Sequence, residues 1–273
     1  MKITSDIHIH TSLSSCADKE ATFMGYVEAA KKTGLKTLGF ADHLWDSAVP
    51  GASRWYEPQN IEHVLKLKEE LPANREVDGI KLLFGCETEF AYGGKLALSE
   101  EGFDHFDYVI VPHSHTHMGL VAPKELIPDD RSHAELIMKS FMQLVTHPLA
   151  HRITAVAHPF VAGTSHFKYN DVQSYIPDSY LREAFSAAKE QGIAIEMNGS
   201  CLIYLPEEEI PHCQYVRIYS IAKECGCRFT YGSDSHNTAE DRKLHLVENF
   251  FDLCGITDAD LLTVDEILAR NKK

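Results

Sequence analysis

The sequence predicts a parallel α/β fold of about seven β-then-α units, and three observations carry that reading. Short apolar runs rich in β-branched residues alternate with longer segments of helical period. Gly34 and Gly192 each stand between a helical segment and the strand that follows, as a C-cap glycine should. The 273 residues are enough for a barrel of about 250, and no Pro- or Gly-rich linker divides them.

In order, strands are expected near 2–8, 36–41, 80–86, 107–112, 153–157, 193–197 and 228–232. Helices are expected near 22–33, 59–71, 132–146, 178–191, 211–225 and 239–253. A last helix over 257–270 is opened by Thr257, with Asp260 in place of the usual capping Glu. The whole, 1–273, reads as one domain with C-terminal helices at about 239–270, although length alone also allows two. The long connections 43–58 and 87–106 both follow strands, so in a parallel barrel they lie on the C-terminal face, where active sites are built. They carry Trp45, Arg54, Trp55 and Tyr56 in one case, Tyr92 and Lys95 in the other.

A net charge of −14 argues against a general binder of nucleic-acid backbones, which needs a basic surface. Part of that charge is of the kind a bound cation cancels. Seven scattered cysteines with no CxxC pair read as reduced thiols, and the N-terminus lacks an apolar signal region. No run approaches the length of a membrane span. The expectation is a cytoplasmic protein without membrane attachment; its oligomeric state is not legible.

Of the 16 histidines, those at strand ends matter most. His8 and His10 form an HxH pair on one face of the first strand, where both can reach one ion. The second strand ends in Asp42-His43 and the third in Cys86-Glu87-Thr88-Glu89. His113-Ser-His115-Thr-His117 closes the fourth, His158-Pro159 the fifth, and Asp234-Ser-His236 the last. One buried His or Asp at such a point is commonly structural, paired by hydrogen bonds. Six sets in the same register predict a metal site. Imidazole with carboxylate favours zinc, manganese or iron, and about eight donors exceed what one tetrahedral ion takes.

The ordered motifs HIHTSLSSCAD, FADH, FGCETEF, VPHSH, AVAHP and GSDSH resemble the polymerase and histidinol phosphatase (PHP) family over nearly the whole chain. The resemblance implies a distorted TIM-like barrel of seven βα units, with two or three divalent ions in a cleft at the C-terminal ends of the strands. It assigns His8, His10, Glu87 and Asp234 to a first ion, with Glu87 bridging to a second completed by His113 and His158. His43 and His236 would hold a third. It also implies attack on phosphorus by a hydroxide shared between ions, with Glu87 and Asp234 as catalytic residues. One departure stands out: where many relatives have a further histidine for the third ion, this chain has Cys16, followed by Asp18. Either could serve that ion; equally, SSCADKE is an ordinary loop heading the first helix, with Asp18 near its N-cap.

Other residues are weighed individually. Asp42 reads as a partner orienting a ligand imidazole. Glu89 is a supporting group, a substrate contact or a solvated carboxylate. Function is favoured for His115 and not for His117, and Asn198 is a hydrogen-bond donor at the end of the sixth strand. Arg242 is the first choice for a substrate-phosphate contact, ahead of Arg54 and Lys95. His63, His105, His133, His147, His151, His166, His212 and His245 read as surface or structural. The function expected is a phosphoesterase acting on a small anionic, phosphorylated metabolite or nucleotide. A metal-dependent amidohydrolase and a non-catalytic metal-binding module are the alternatives.

Overall fold

The computed structural model describes residues 1–119, 121–162, 171–203, 205–239 and 243–270. Its main sheet runs in chain order through β1 (Ser5–Ile9), β2 (Thr37–Phe40), β3 (Ile80–Thr88), β4 (Tyr108–Pro112), β5 (Ala155–Ala157), β6 (Ala194–Asn198) and β7 (Phe229–Gly232). Every neighbouring pair along this path is parallel. Between β7 and β1 the ladder is reduced to an isolated bridge, Ile9 to Ser235. There the Asp234 N–H donates to the His8 carbonyl at 2.8 Å and the His10 N–H to that of Ser235 at 2.9 Å. The result is the expected barrel, nearly closed, with its weakest seam at the residues that carry three of the expected ligands.

Helices α1 (Phe23–Thr33), α2 (Ile61–Glu70), α3 (Asp130–Val145), α4 (Asp178–Glu190), α5 (Gln214–Glu224), α6 (Leu244–Leu253) and α7 (Val264–Arg270) accompany the strands. Their boundaries follow local chemistry. The side chains of Thr22, Asn60 and Asp129 accept backbone N–H groups at the starts of α1, α2 and α3, and Gly34 ends α1 at φ +83°. Among the described residues no helix is long and apolar enough to cross a membrane.

Strand alternation sorts side chains between two cores. Ile195 and Met197 of β6 and Val109 and Val111 of β4 join the outer layer against the helices. Ile7, Leu83, Tyr108, Ile110, Ala155, Ala157 and Ala194 form the barrel interior, closed from below by Ile267 of α7. Tyr108 spans that interior, donating from its hydroxyl to the Ile7 carbonyl at 2.7 Å. Its ring occupies the space over Gly85, where an added Cβ would come within 2.3 Å of it.

The expected helix 257–270 is a correction. Thr257 and Asp260 do form the capping box, but the turn they open covers only Asp258–Asp260. Leu261 then bridges to Phe229, and the Leu262 N–H donates to the Phe229 carbonyl at 2.8 Å, which holds the chain extended against β7. A second start follows, with the Glu266 carboxylate accepting the Thr263 N–H and α7 beginning at Val264. Pairing to the barrel overrides the local helical period.

Loops 43–58 and 87–106 pack on each other. Trp45 and Tyr56 from one share a small core with Ala91 and Ala97 from the other. The Asp46 N–H donates to the Ala97 carbonyl at 2.8 Å.

Candidate metal centre

The register of β1 shifts between Asp6 and Ile9. Ile7 joins the inner core and Ile9 the outer, while the rings of His8 and His10 lie with centroids 5.0 Å apart. Each ring is held from behind. The Nδ1 of His8 lies 2.7 Å from Glu196 Oε1. The Nδ1 of His10 lies 3.0 Å from Ser14 Oγ, whose own hydroxyl donates to Asp42 Oδ1 at 2.7 Å. Since Ser14 gives its proton to Asp42, it accepts from His10, which fixes that tautomer. With both Nδ1 atoms occupied by protons, the two Nε2 atoms face each other across 3.0 Å. Asp42 is thus the orienting partner expected of it, acting through Ser14 and also fixed by the Thr11 N–H and hydroxyl.

Glu87 follows Leu83 and Gly85 on the inward register of β3 and is buried, 1% exposed. Its two oxygens face different partners. Oε2 lies 3.5 Å from each of His8 and His10 Nε2 and 2.9 Å from His43 Nδ1, without hydrogen-bond geometry to any of them. Oε1 lies 3.0 Å from His158 Nε2 and 3.8 Å from His115 Nε2. Asp234 Oδ1 stands 3.2 Å from His10 Nε2 and 3.5 Å from His8 Nε2.

Three groups of donor atoms converge to within 4.8 Å: His8, His10 and Glu87; Glu87, His115 and His158; and His10, His43 and His236. These sets fit divalent cations. Imidazole nitrogens surround a buried carboxylate oxygen that has no hydrogen bond, and the second ring nitrogens of His8 and His10 are tied to oxygen partners.

Electrostatics agree. Burial opposes charge on His8, but Glu196, Glu87 and Asp234 outweigh it and hold the imidazole well above its ordinary pKa. Burial and the neighbouring His236 and His43 push His10 well below. The two facing nitrogens, 3.0 Å apart, thus sit in opposite electrostatic settings. Burial would raise the Glu87 carboxyl, yet His8, His43 and His158 hold it well below the usual carboxylate range.

His113 is a correction. It shares the outward register of Val109 and Val111, and its ring packs edge-on against Phe141 and Phe160. Nδ1 pairs with the Ile137 carbonyl at 3.1 Å, and Nε2 accepts the Phe160 N–H at 2.9 Å. Both ring nitrogens are spent on backbone, and burial pushes the pKa down to about 3, so the ring is a neutral part of the core. His115 takes the place by Glu87. Its Nδ1 lies 2.5 Å from Glu89 Oε1, which also accepts the Tyr56 hydroxyl at 2.5 Å. Glu89 is therefore a supporting carboxylate.

Backbone strain aims two further residues. His158, two residues past the outward Val156, has φ +29°, and Asp234 has φ +56°. Positive φ is uncommon outside glycine, although His and Asp adopt it more readily than most, and such torsions concentrate at functional sites. The turn at His158 lets its N–H donate to Glu196 Oε2 at 2.7 Å while its ring reaches Glu87.

At the rim, His236 stacks on His10 with ring centroids 4.1 Å apart. Cys16 is exposed. Enclosure of its sulfur works against ionisation, but hydrogen bonds to His236 and His43 outweigh that and bring the thiol down to about 6. Asp18 is not brought in: its side chain is exposed, and only its N–H, donating to the His236 carbonyl at 3.0 Å, ties it to the site. Arg242 and His166 lie outside the described residues. Lys95 donates to the Pro50 carbonyl at 2.8 Å, and Arg54 is exposed. His117 has its pKa lowered to about 4, by burial first.

Glu196, Ser14 and Tyr56 were the residues whose roles sequence reasoning missed. Glu196 carried a usable signal: it alternates with Ile195 and Met197 on a fully buried strand, so its carboxylate required an interior partner.

Fold and cluster together define a near-closed seven-strand barrel with a histidine and carboxylate centre at its C-terminal mouth. The chain belongs to the PHP domain family, whose description matches residues 6–200. Asp234 and His236 lie beyond that match, on the segment that closes the barrel. Among similar proteins, a probable phosphatase of Aeromonas hydrophila is 26% identical, covering 86% of this chain and 79% of its own length. One of Aliivibrio fischeri is also 26% identical, covering 92% and 85%. Among solved structures, a histidinol phosphate phosphatase of Lactococcus lactis, complexed with zinc, L-histidinol and phosphate, has the same fold. It superimposes with a TM-score of 0.66 at 20% identity, covering 94% of this chain and 95% of that one.

Proposed function

We propose that this protein is a metal-dependent phosphoesterase of the histidinol phosphatase type, acting on a small phosphorylated metabolite or nucleotide. The observation that carries the reading is Glu87, a buried carboxylate whose two oxygens face two separate groups of imidazoles, His8, His10 and His43 on one side and His115 and His158 on the other. Family membership and relatives named probable phosphatases support it, as does a structural neighbour whose ligands include zinc and phosphate.

In this reading His8, His10, Glu87 and Asp234 hold one ion, and Glu87, His115 and His158 a second. His43, His236 and Cys16 serve a third. Zinc, manganese and iron suit such donors. Bound there, such ions lower the pKa of coordinated water and neutralise charge developing on phosphoryl oxygens. The chain's own part is to hold the donors rigid. Glu196 fixes the ring of His8, Ser14 and Asp42 that of His10, and Glu89 that of His115. The loop core of Trp45 and Tyr56 walls one side of the cluster, with the Trp55 ring against His43 at 5.2 Å. Arg242 is retained from the sequence as the phosphate contact.

The test is metal analysis of the purified protein together with hydrolysis of p-nitrophenyl phosphate, with and without added manganese. Turnover that chelation removes and metal restores is expected. Full metal occupancy with no hydrolysis under any metal would sink the proposal and favour a non-catalytic metal-binding module.

A further inference from the structure

A second cleft, of about 740 Å³, opens at the other end of the barrel, lined by Lys68, Arg75, Lys81, Arg152, Asp104 and Asp107 among others. Arg75 and Lys81 flank the start of β3, Asp107 immediately precedes β4, and Arg152 stands shortly before β5. The cleft is therefore at the N-terminal mouth, while the metal centre is at the C-terminal one. Four cationic side chains meet two carboxylates in a chain whose net charge is −14. A local surplus of positive charge on so acidic a molecule calls for a reason.

The two carboxylates meet the two arginines and leave the two lysines. Asp107 Oδ2 accepts the Phe84 N–H at 2.8 Å. It also forms an ion pair with Arg75 Nη1 at 3.5 Å, so the Arg75 charge is already met. Asp104 pairs with Arg152 at 2.7 Å. Lys68 donates to the His105 carbonyl at 2.8 Å and lies over the Phe84 ring, with no ion pair among the described residues. Lys81 is half-buried beside them, with no side-chain hydrogen bond or ion pair among the described residues.

We propose that this cleft binds a small phosphate compound carrying at least two anionic groups, separately from the metal centre. The ammonium groups of Lys68 and Lys81 supply the charge that no carboxylate meets, and the half-enclosed setting limits screening by salt. A single monoanion would leave one of the two lysines unmatched; a compound with two anionic groups, as in a diphosphate, meets both.

The probe is inorganic pyrophosphate, added to the full chain with its metals in place. Bound at this cleft, it slows acetylation of Lys68 and Lys81, read peptide by peptide in a mass spectrometer, and leaves the exposed Lys189 unaffected. Calorimetry on Lys81→Glu shows this binding phase weakened about tenfold, about 1.4 kcal/mol, with unchanged melting temperature. Unchanged acetylation at both lysines overturns the proposal, as does a calorimetric trace identical in Lys81→Glu. Equal protection by sulfate at matched ionic strength also overturns it, since that is screening alone.

Discussion

The Glu196 carboxylate and the His8 Nδ1 meet at 2.7 Å across a gap that exists because residue 232 has no side chain. A Cβ on Gly232 would fall 2.4 Å from both Glu196 Oε1 and the His8 Cβ. Gly232→Ala is therefore expected to force the pair apart. Overpacking of this kind costs about 1–3 kcal/mol, visible as a lower melting temperature. Lost support of a ligand imidazole weakens metal affinity by about 10–100-fold. Normal metal content in the variant would mean that the pair does not hold His8 in place.

Glu87→Gln removes the one negative charge shared by both imidazole groups. Turnover is expected to vanish and metal content to drop by inductively coupled plasma analysis, with the fold retained in circular dichroism. Intact activity would remove Glu87 from the centre of the proposal.

His113 and His115, two residues apart, should behave oppositely. His113→Ala leaves the Ile137 carbonyl and the Phe160 N–H unpaired in the core, at about 1–3 kcal/mol for each buried group, yet keeps its ions. His115→Ala is expected to melt normally and to lose activity together with one ion. The reverse pattern would restore His113 as the ligand.

The pH dependence of metal uptake follows from His8. Its pKa is raised above the ordinary value, so at and below that raised pKa a proton occupies the place of the cation. Metal affinity is expected to rise with pH through this range, with proton release detectable in an unbuffered titration. Uptake independent of pH would contradict the assignment of the His8 ring.

Cys16 offers a separate reading. In chelator-treated protein its iodoacetamide labelling should be slow below pH 6 and fast above, since its thiol titrates at about 6. Added zinc should protect it, and Cys16→Ser should cost at most one ion. Labelling unaffected by zinc would take Cys16 out of the third group.

Period-2 alternation made most of the barrel legible in advance. Leu83, Gly85, Glu87 and Glu89 fall on one face in the sequence and share a register in the structure. The same rule, applied through β4, would have sent His113 outward with Val109 and Val111; the family motif drew attention to it instead. His158 went the other way, because a left-handed backbone at φ +29° breaks the alternation, and nothing in AVAHP announces that torsion. The break in the last helix was equally hidden, since it depends on Leu261 meeting Phe229, residues that only the closed barrel brings together. Supporting groups such as Ser14 and Tyr56 are common residues in loops, and only distances reveal their work.

Tyr108 has one more consequence. Its ring fills the barrel over Gly85, and the apolar side chains beneath it end on α7, so the interior is a stopper and not a passage. A solute that reaches Glu87 therefore does not come through the barrel from the α7 end. In the proposed reaction, ester and phosphate would then both use the C-terminal side of the barrel and compete there.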